Sequence, residues 1–548
     1  MGGGVYTVDA ARRWAQAVAV KDGRIAAVGR DADVRPLVGP RTQVVDLDGR
    51  MLLPGFQDAH VHAPSGGLDR LRIDLSEVHS LDGYRERIRA YVDAHPGEGW
   101  VLGGGWAMDV FPGGTPRREE LDALAPDRPV FINNRDNHGA WVSSRALELA
   151  GVTAETPDPA DGRIERDERG APSGTLHEGA MDLVRRHVPP TAPEERLRGL
   201  LEAQAYLHSL GITAWQDAIV GDYSTIQDNY DVYVDASERG ELTARVVGAL
   251  WYARGGGLDQ VPLLVERREG ARSGRFRATS VKIMADGVCE NFTAAMLDPY
   301  LGPDGRPTDN TGLSFFEADE LREAVVRLDA EGFQVHIHVI GDRACRTALD
   351  AVEAARSRNG PNDLRHHLAH IQVVHPDDVP RFRELGVTAN AQPLWAAHEP
   401  QMDELTIPYL GEPRASWQYP FGSLVRSGAT LAFGSDWPVS SPNPLWEIHV
   451  AVDRVEPEAY PYADASHRTE PFLPDQRLDL PTALAAFTIG SAYVNHLDGQ
   501  TGSIEPGKLA DLVVLDRNLF VHPADEIAEA QVLLTLVEGE AAFEDPSL

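Results

Sequence analysis

Between about residue 55 and residue 440, short apolar runs alternate with longer amphipathic stretches. Runs such as Gln334-Val335-His336-Ile337-His338-Val339-Ile340 and Thr430-Leu431-Ala432-Phe433 have the length and β-branched content of strands buried on both faces. The stretches between them are long enough for helices, and Ala318 to Ala330 repeats its apolar positions with a period of about 3.6 residues. This alternation marks a parallel α/β sheet. Eight strands are predicted, at 56–62, 212–218, 245–251, 280–286, 334–340, 366–372, 387–392 and 430–436. Together they predict a TIM-type (β/α)8 barrel.

The gap after the first strand is far too long for one helix. It holds Gly103-Gly104-Gly105, Pro112-Gly113-Gly114 and a strand-like Pro129-Val130-Phe131-Ile132-Asn133, so about 63–205 reads as an insertion at the barrel mouth. The two ends carry a different pattern. Residues Ala17 to Gly29 form two short strands around an Asp22-Gly23 turn, and Ala510 to Asp516 forms another strand. A small β-sandwich assembled from 1–54 and 497–548 is therefore expected beside a barrel of 55–496.

Composition narrows the partners. A formal net charge of −33 argues against nucleic acid or an anionic membrane surface, since a phosphate backbone needs a basic surface. No apolar run of about 18 residues is present to span a membrane. The start shows neither a basic segment nor an apolar one, so no signal peptide is expected. Cys289 and Cys345 make no CxxC pair and read as buried thiols of a cytoplasmic protein. Lysine occurs only at Lys21, Lys282 and Lys508, every other basic residue being arginine. Lys282 lies in the apolar run Val281-Lys282-Ile283-Met284, an expensive place for a charge unless chemistry demands it.

Candidate chemistry gathers at strand ends, where TIM-type enzymes place their active sites. Residues i and i+2 of a strand share a face, so His60 and His62 in Asp58-Ala59-His60-Val61-His62 project together, half of a zinc-type site. His336 and His338 share a face of the fifth strand, His370 ends the sixth, Asp436 ends the eighth, and Lys282 lies on the fourth. Any one of these histidines taken alone reads as a satisfied core residue. Five strands of one barrel ending this way point to metal. No G-x-S-x-G elbow, Walker A loop or HExxH helix competes with that reading.

With these residues in view, the chain resembles the amidohydrolase superfamily. Within it the chain is similar to the amidohydrolase 3 (YtcJ-like) family, which includes N-substituted formamide deformylases. The resemblance rests on Leu53-Pro54-Gly55-Phe56 with Asp58-Ala59-His60-Val61-His62, on Asp136 with His138 and Trp141, and on Val281-Lys282-Ile283 with Asp286-Gly287. It extends through His336-Ile337-His338, Ala369-His370, Gly434-Ser435-Asp436-Trp437-Pro438 and the tail from Gly502 to Asp516.

The resemblance implies a hydrolase of non-peptide carbon–nitrogen bonds, acting on a small-molecule amide or formamide. It implies two divalent metal ions, zinc foremost, with His60, His62 and Asp436 on one ion and His338 and His370 as further ligands. Lys282, carbamylated by CO2, would bridge the two ions. Asp436 is expected to be general base and then general acid, and His138 to meet substrate; His336 is expected to meet substrate too, or to stand behind the ligands, or to be the strand-five ligand in place of His338. A homodimer is implied at family level. Alternatives on the same fold are ester or lactone hydrolysis, ring deamination, or a non-catalytic assembly role. Asp217 and Asp286 read as structural hydrogen-bond acceptors, and Trp106 and Phe111 as packing residues of the insertion.

Overall fold

The computed structural model describes residues 1–97, 99–223, 226–272, 274–463 and 470–548. Eight parallel strands form one sheet: β1 (Phe56–Val61), β2 (Ile212–Val220), β3 (Arg245–Trp251), β4 (Phe276–Met284), β5 (Gln334–Val339), β6 (His367–His370), β7 (Thr388–Ala391) and β8 (Leu431–Phe433). Parallel ladders join each strand to the next from β1 through β8. These strands are buried almost throughout, as their continuous apolar runs predict. The amphipathic segment Ala318–Ala330 is a helix whose Leu321, Ala324, Val325 and Leu328 turn inward.

β6 and β8 are shorter than predicted, and the reason is local. In β6, His370 and Ile371 take positive φ values of 73° and 45°, so extended backbone cannot continue there, and beyond β8 Asp436 at 58° bars any return to the strand. β4 begins earlier than predicted because its first half alternates buried Phe276 and Ala278 with exposed Arg277 and Thr279, an amphipathic pattern that the apolar scan passes over.

Polar groups rather than a ladder join β8 to β1. The Asp58 carboxylate accepts hydrogen bonds from the His60 amide at 2.9 Å, the Ser435 amide at 3.1 Å and the Ser435 hydroxyl at 2.6 Å. The Asp436 amide donates to the His60 carbonyl at 2.7 Å. Burial lifts the Asp58 pKa to about 7, against the pull of these donors. Gly434 makes the approach possible, since a Cβ there would stand 2.4 Å from the His60 nitrogen and 2.9 Å from Asp58 Oδ1.

Beyond the barrel, strands from both chain ends share one six-stranded sheet, ordered Trp14–Ala15, Gly4–Tyr6, Met51–Pro54, Leu512–Leu515, Val532–Val537, Glu540–Glu544. The hairpin Ala17–Lys21 with Arg24–Gly29 contributes Val18, Ile25 and Val28 to the cluster formed by Val5, Leu52, Leu512 and Val514. Residues Ile73 to Glu178 supply a further six-stranded sheet. Its Trp106, Phe111 and Trp141 pack against one another, as expected of core aromatics. Among the described residues, no helix is long and apolar enough to cross a membrane.

Gly434→Ala should lower the thermal unfolding midpoint markedly, because the nearest colliding atom is the main-chain nitrogen of His60, which cannot swing aside. Differential scanning calorimetry checks this, and an unchanged midpoint would show that the β8–β1 seam is not held as described.

Candidate metal centre

Strand direction places the chemistry. His60 lies near the end of β1 and His62 just past it, Lys282 lies near the end of β4, His338 near the end of β5, His370 ends β6, and Asp436 follows β8. In-register pairing sets Lys282 beside His336 and Met284 beside His338, two residues nearer the mouth.

Three donor atoms converge. Asp436 Oδ1 lies 3.1 Å from His60 Nε2 and 3.0 Å from His62 Nε2, and the three side chains offer ligand atoms within 4.8 Å of one another. Yet Asp436 Oδ1 has no well-aligned hydrogen-bond donor among the described residues, and the same holds for His62 Nδ1 and His370 Nδ1. Buried polar atoms that close and unsatisfied are costly unless a cation lies among them. Burial pushes the His60 pKa down to about 3, helped by Lys282, and holds His338 and His370 well below the usual imidazole range. Neutral imidazoles and one carboxylate are the forms that ligate a divalent metal.

The remaining groups stand around this core. Lys282 is 1% exposed, and its Nζ lies 3.5 Å from His60 Nε2. Among the described residues no carboxylate oxygen comes within ion-pairing distance of it, so it is not a salt-bridged core lysine. Burial pushes its pKa down to about 7, with Asp436 opposing. The His370 ring lies flat against Trp395 at 5.3 Å and beside the His338 ring at 4.5 Å. His370 Nδ1 is 3.9 Å from Asp436 Oδ2. His338 Nε2 faces the Gly287 carbonyl at 3.3 Å, which sets it apart from the tight trio.

His336 does not reach the mouth. Its Nε2 meets His60 Nδ1 at 2.8 Å and its Nδ1 meets Gln216 Oε1 at 2.7 Å, so both ring nitrogens are taken and none remains for the substrate contact expected of it. It braces His60 from beneath and fixes that ring's Nε2 toward Asp436. His138 is placed differently. Its Nδ1 contacts the Glu178 carboxylate at 2.9 and 3.0 Å, and its ring lies 5.9 Å from that of His338. Burial opposes charge on His138, but Glu178 overcomes it and lifts the pKa to about 9. Asp286 accepts from the amides of Ala295, Ile340 and Gly341, and Asp217 from Tyr233 and the Ile219 amide, both structural as expected.

The sequence reading passed over Glu178, Asp58, Gln216 and Trp395. Glu178 and His138 meet because Gly139 pairs with His177 across antiparallel strands, a contact that no local spacing encodes. Asp58 stood in plain view two residues before His60, but its partner Ser435 is 377 residues away.

Comparison with known proteins agrees with this geometry. The amidohydrolase family matches residues 43–543. Protein LONG AFTER FAR-RED 3 of Arabidopsis thaliana is 32% identical over 99% of this chain and 90% of its own length. An N-substituted formamide deformylase of Arthrobacter pascens is 30% identical over 98% of this chain and 97% of its own. An uncharacterized metal-dependent hydrolase of Pyrococcus furiosus superposes with a TM-score of 0.69 at 26% identity, covering 94% of this chain and 98% of that one. The chain belongs to the amidohydrolase family and is a metal-dependent hydrolase of carbon–nitrogen bonds.

Proposed function

We propose that this centre holds two divalent metal ions, zinc foremost, and hydrolyses an amide or N-substituted formamide bearing an apolar substituent. The observation that carries the reading is the buried convergence of His60 Nε2 and His62 Nε2 on Asp436 Oδ1 at 3.1 and 3.0 Å, with no well-aligned donor to that oxygen among the described residues. In this reading His60, His62 and Asp436 hold one ion, and His338 and His370 hold the other. Lys282, as a carbamate, would offer these ions an anionic oxygen ligand where a bare ammonium would repel them. Bound divalent ions supply Lewis acidity and make water acidic enough to lose a proton near neutral pH.

The chain's own groups do the rest. Asp436 accepts the proton of the attacking water and returns it to the departing nitrogen, a general-base and then general-acid role. His138, held by Glu178, presents a ring N–H toward the substrate at the mouth. His336 keeps the His60 ring in the tautomer and orientation that the site needs. Similarity to the Arthrobacter deformylase over nearly the whole of both chains supports the formamide class. We read the terminal strands as a composite β-sandwich of 1–54 and 497–548, and about 63–205 as an inserted subdomain of the 55–496 barrel. A cytoplasmic location and a homodimer complete the reading.

Incubation with a panel of N-substituted formamides and amides, with esters, lactones and amino-substituted rings alongside, tests the reaction. Release of amine and carboxylate is expected from the first group, with kcat/KM reduced about 10³-fold or more in Asp436→Asn. Preferential turnover of esters or of rings would reassign the reaction, and no turnover of any class would favour a non-catalytic role. His336→Gln should weaken metal affinity about 10–100-fold in competition with a chelator. Unchanged affinity would mean that His336 does not brace the site.

A further inference from the structure

The opposite end of the barrel carries a feature that the hydrolytic reading does not use. A cavity of about 480 Å³ opens where β3, β4 and β5 begin, lined by residues that include Arg245, Arg275, Arg277, Asn495 and Glu538. Its volume lies in the range of small-molecule pockets. Three guanidinium groups thus stand with two carboxylates, Glu538 on the lining and Asp511 against Arg245, in a protein whose formal net charge is −33.

Their partners are unevenly shared. Arg245 is neutralised by Asp511 and Glu538. Arg275 reaches the same Glu538 carboxylate through one terminal nitrogen at 3.2 Å, and among the described residues its buried Nη1 meets no hydrogen-bond partner. Arg277 is exposed to the cavity, and among the described residues it meets no carboxylate and no hydrogen-bond acceptor.

Asn495 adds a neutral donor. It is 4% exposed, and its Oδ1 accepts from Gln216 Nε2 at 3.0 Å. That contact fixes the orientation of the amide and leaves Nδ2 buried and unpartnered. The lining therefore offers the accessible guanidinium groups of Arg277 and Arg275 to a space of molecular size, with Asn495 fixed behind them, a setting that suits an oxyanion.

We propose that this cavity binds a small organic anion through a carboxylate or phosphate group, with the exposed Arg277 guanidinium as its main charged contact and the part-exposed Arg275 guanidinium beside it. The wall is continuous with the metal centre. From Asn495, hydrogen bonds run through Gln216 to His336 and on to His60. An anion held here would sit at the far end of the bracing that orients a metal ligand.

Calorimetric titration of the full-length, metal-loaded protein with citrate and with inorganic phosphate tests the site, with ionic strength held constant by sodium chloride. Saturable binding of at least one probe is expected, weakened about 10-fold or more in Arg277→Gln and in Arg275→Gln, with metal content unchanged. Citrate alone would identify a carboxylate ligand, and phosphate a phosphoryl ligand. Absence of saturable binding, or binding equally tight in both variants, would overturn the proposal. Arg277 is exposed and unpaired, so its replacement leaves the fold intact.

Discussion

The cost of burying polar side chains inside the barrel governs this structure. Histidines 60, 336, 338, 367 and 370, with Lys282, Asp58 and Asp436, lie almost entirely out of water around one axis. Each must be neutral, hydrogen-bonded or bound to a cation. Most find partners. Asp58 is held by Ser435 and the His60 amide, and Gln216 accepts from both His336 and His367. The atoms left over are the ones gathered at the mouth, and their pattern is what a divalent cation would satisfy. Function here is what remains after satisfaction of the interior has been counted.

That counting also explains the strained backbone. His370 and Asp436 sit at positive φ, which non-glycine residues adopt only when their surroundings hold them there. At His370 the ring is pressed on Trp395, and its amide is held by Gln392. At Asp436 the chain has just passed Gly434 and the Asp58 clasp. Both turns abandon the strand where a side chain has to aim inward rather than along the sheet.

Much of this was legible in the sequence, because parallel strands buried on both faces leave continuous apolar runs, and polar residues within such runs stand out. His60, His62, Lys282, His370 and Asp436 were visible for that reason. Local periodicity could show that His336 and His338 share a face, but not that only one of them reaches the mouth. The depth of a side chain in a barrel depends on its position along the strand and on what lies across the axis. Glu178, Gln216 and the arginine-lined cavity stayed hidden for a related reason. Each depends on residues brought together across the fold, and Arg277 in the sequence looks like any surface arginine. The strands of the two termini were legible as strands, while their sharing of one sheet depends on Met51–Pro54 pairing with Leu512–Leu515.

The claim at the centre of this account is that the donors of His60, His62 and Asp436 converge on a metal. Metal content per chain, measured by plasma mass spectrometry on protein purified without chelator and with bicarbonate present, tests it most directly. The account predicts about two equivalents of zinc or a similar divalent ion. Protein that carries no metal, and takes none up when zinc is added, would contradict it.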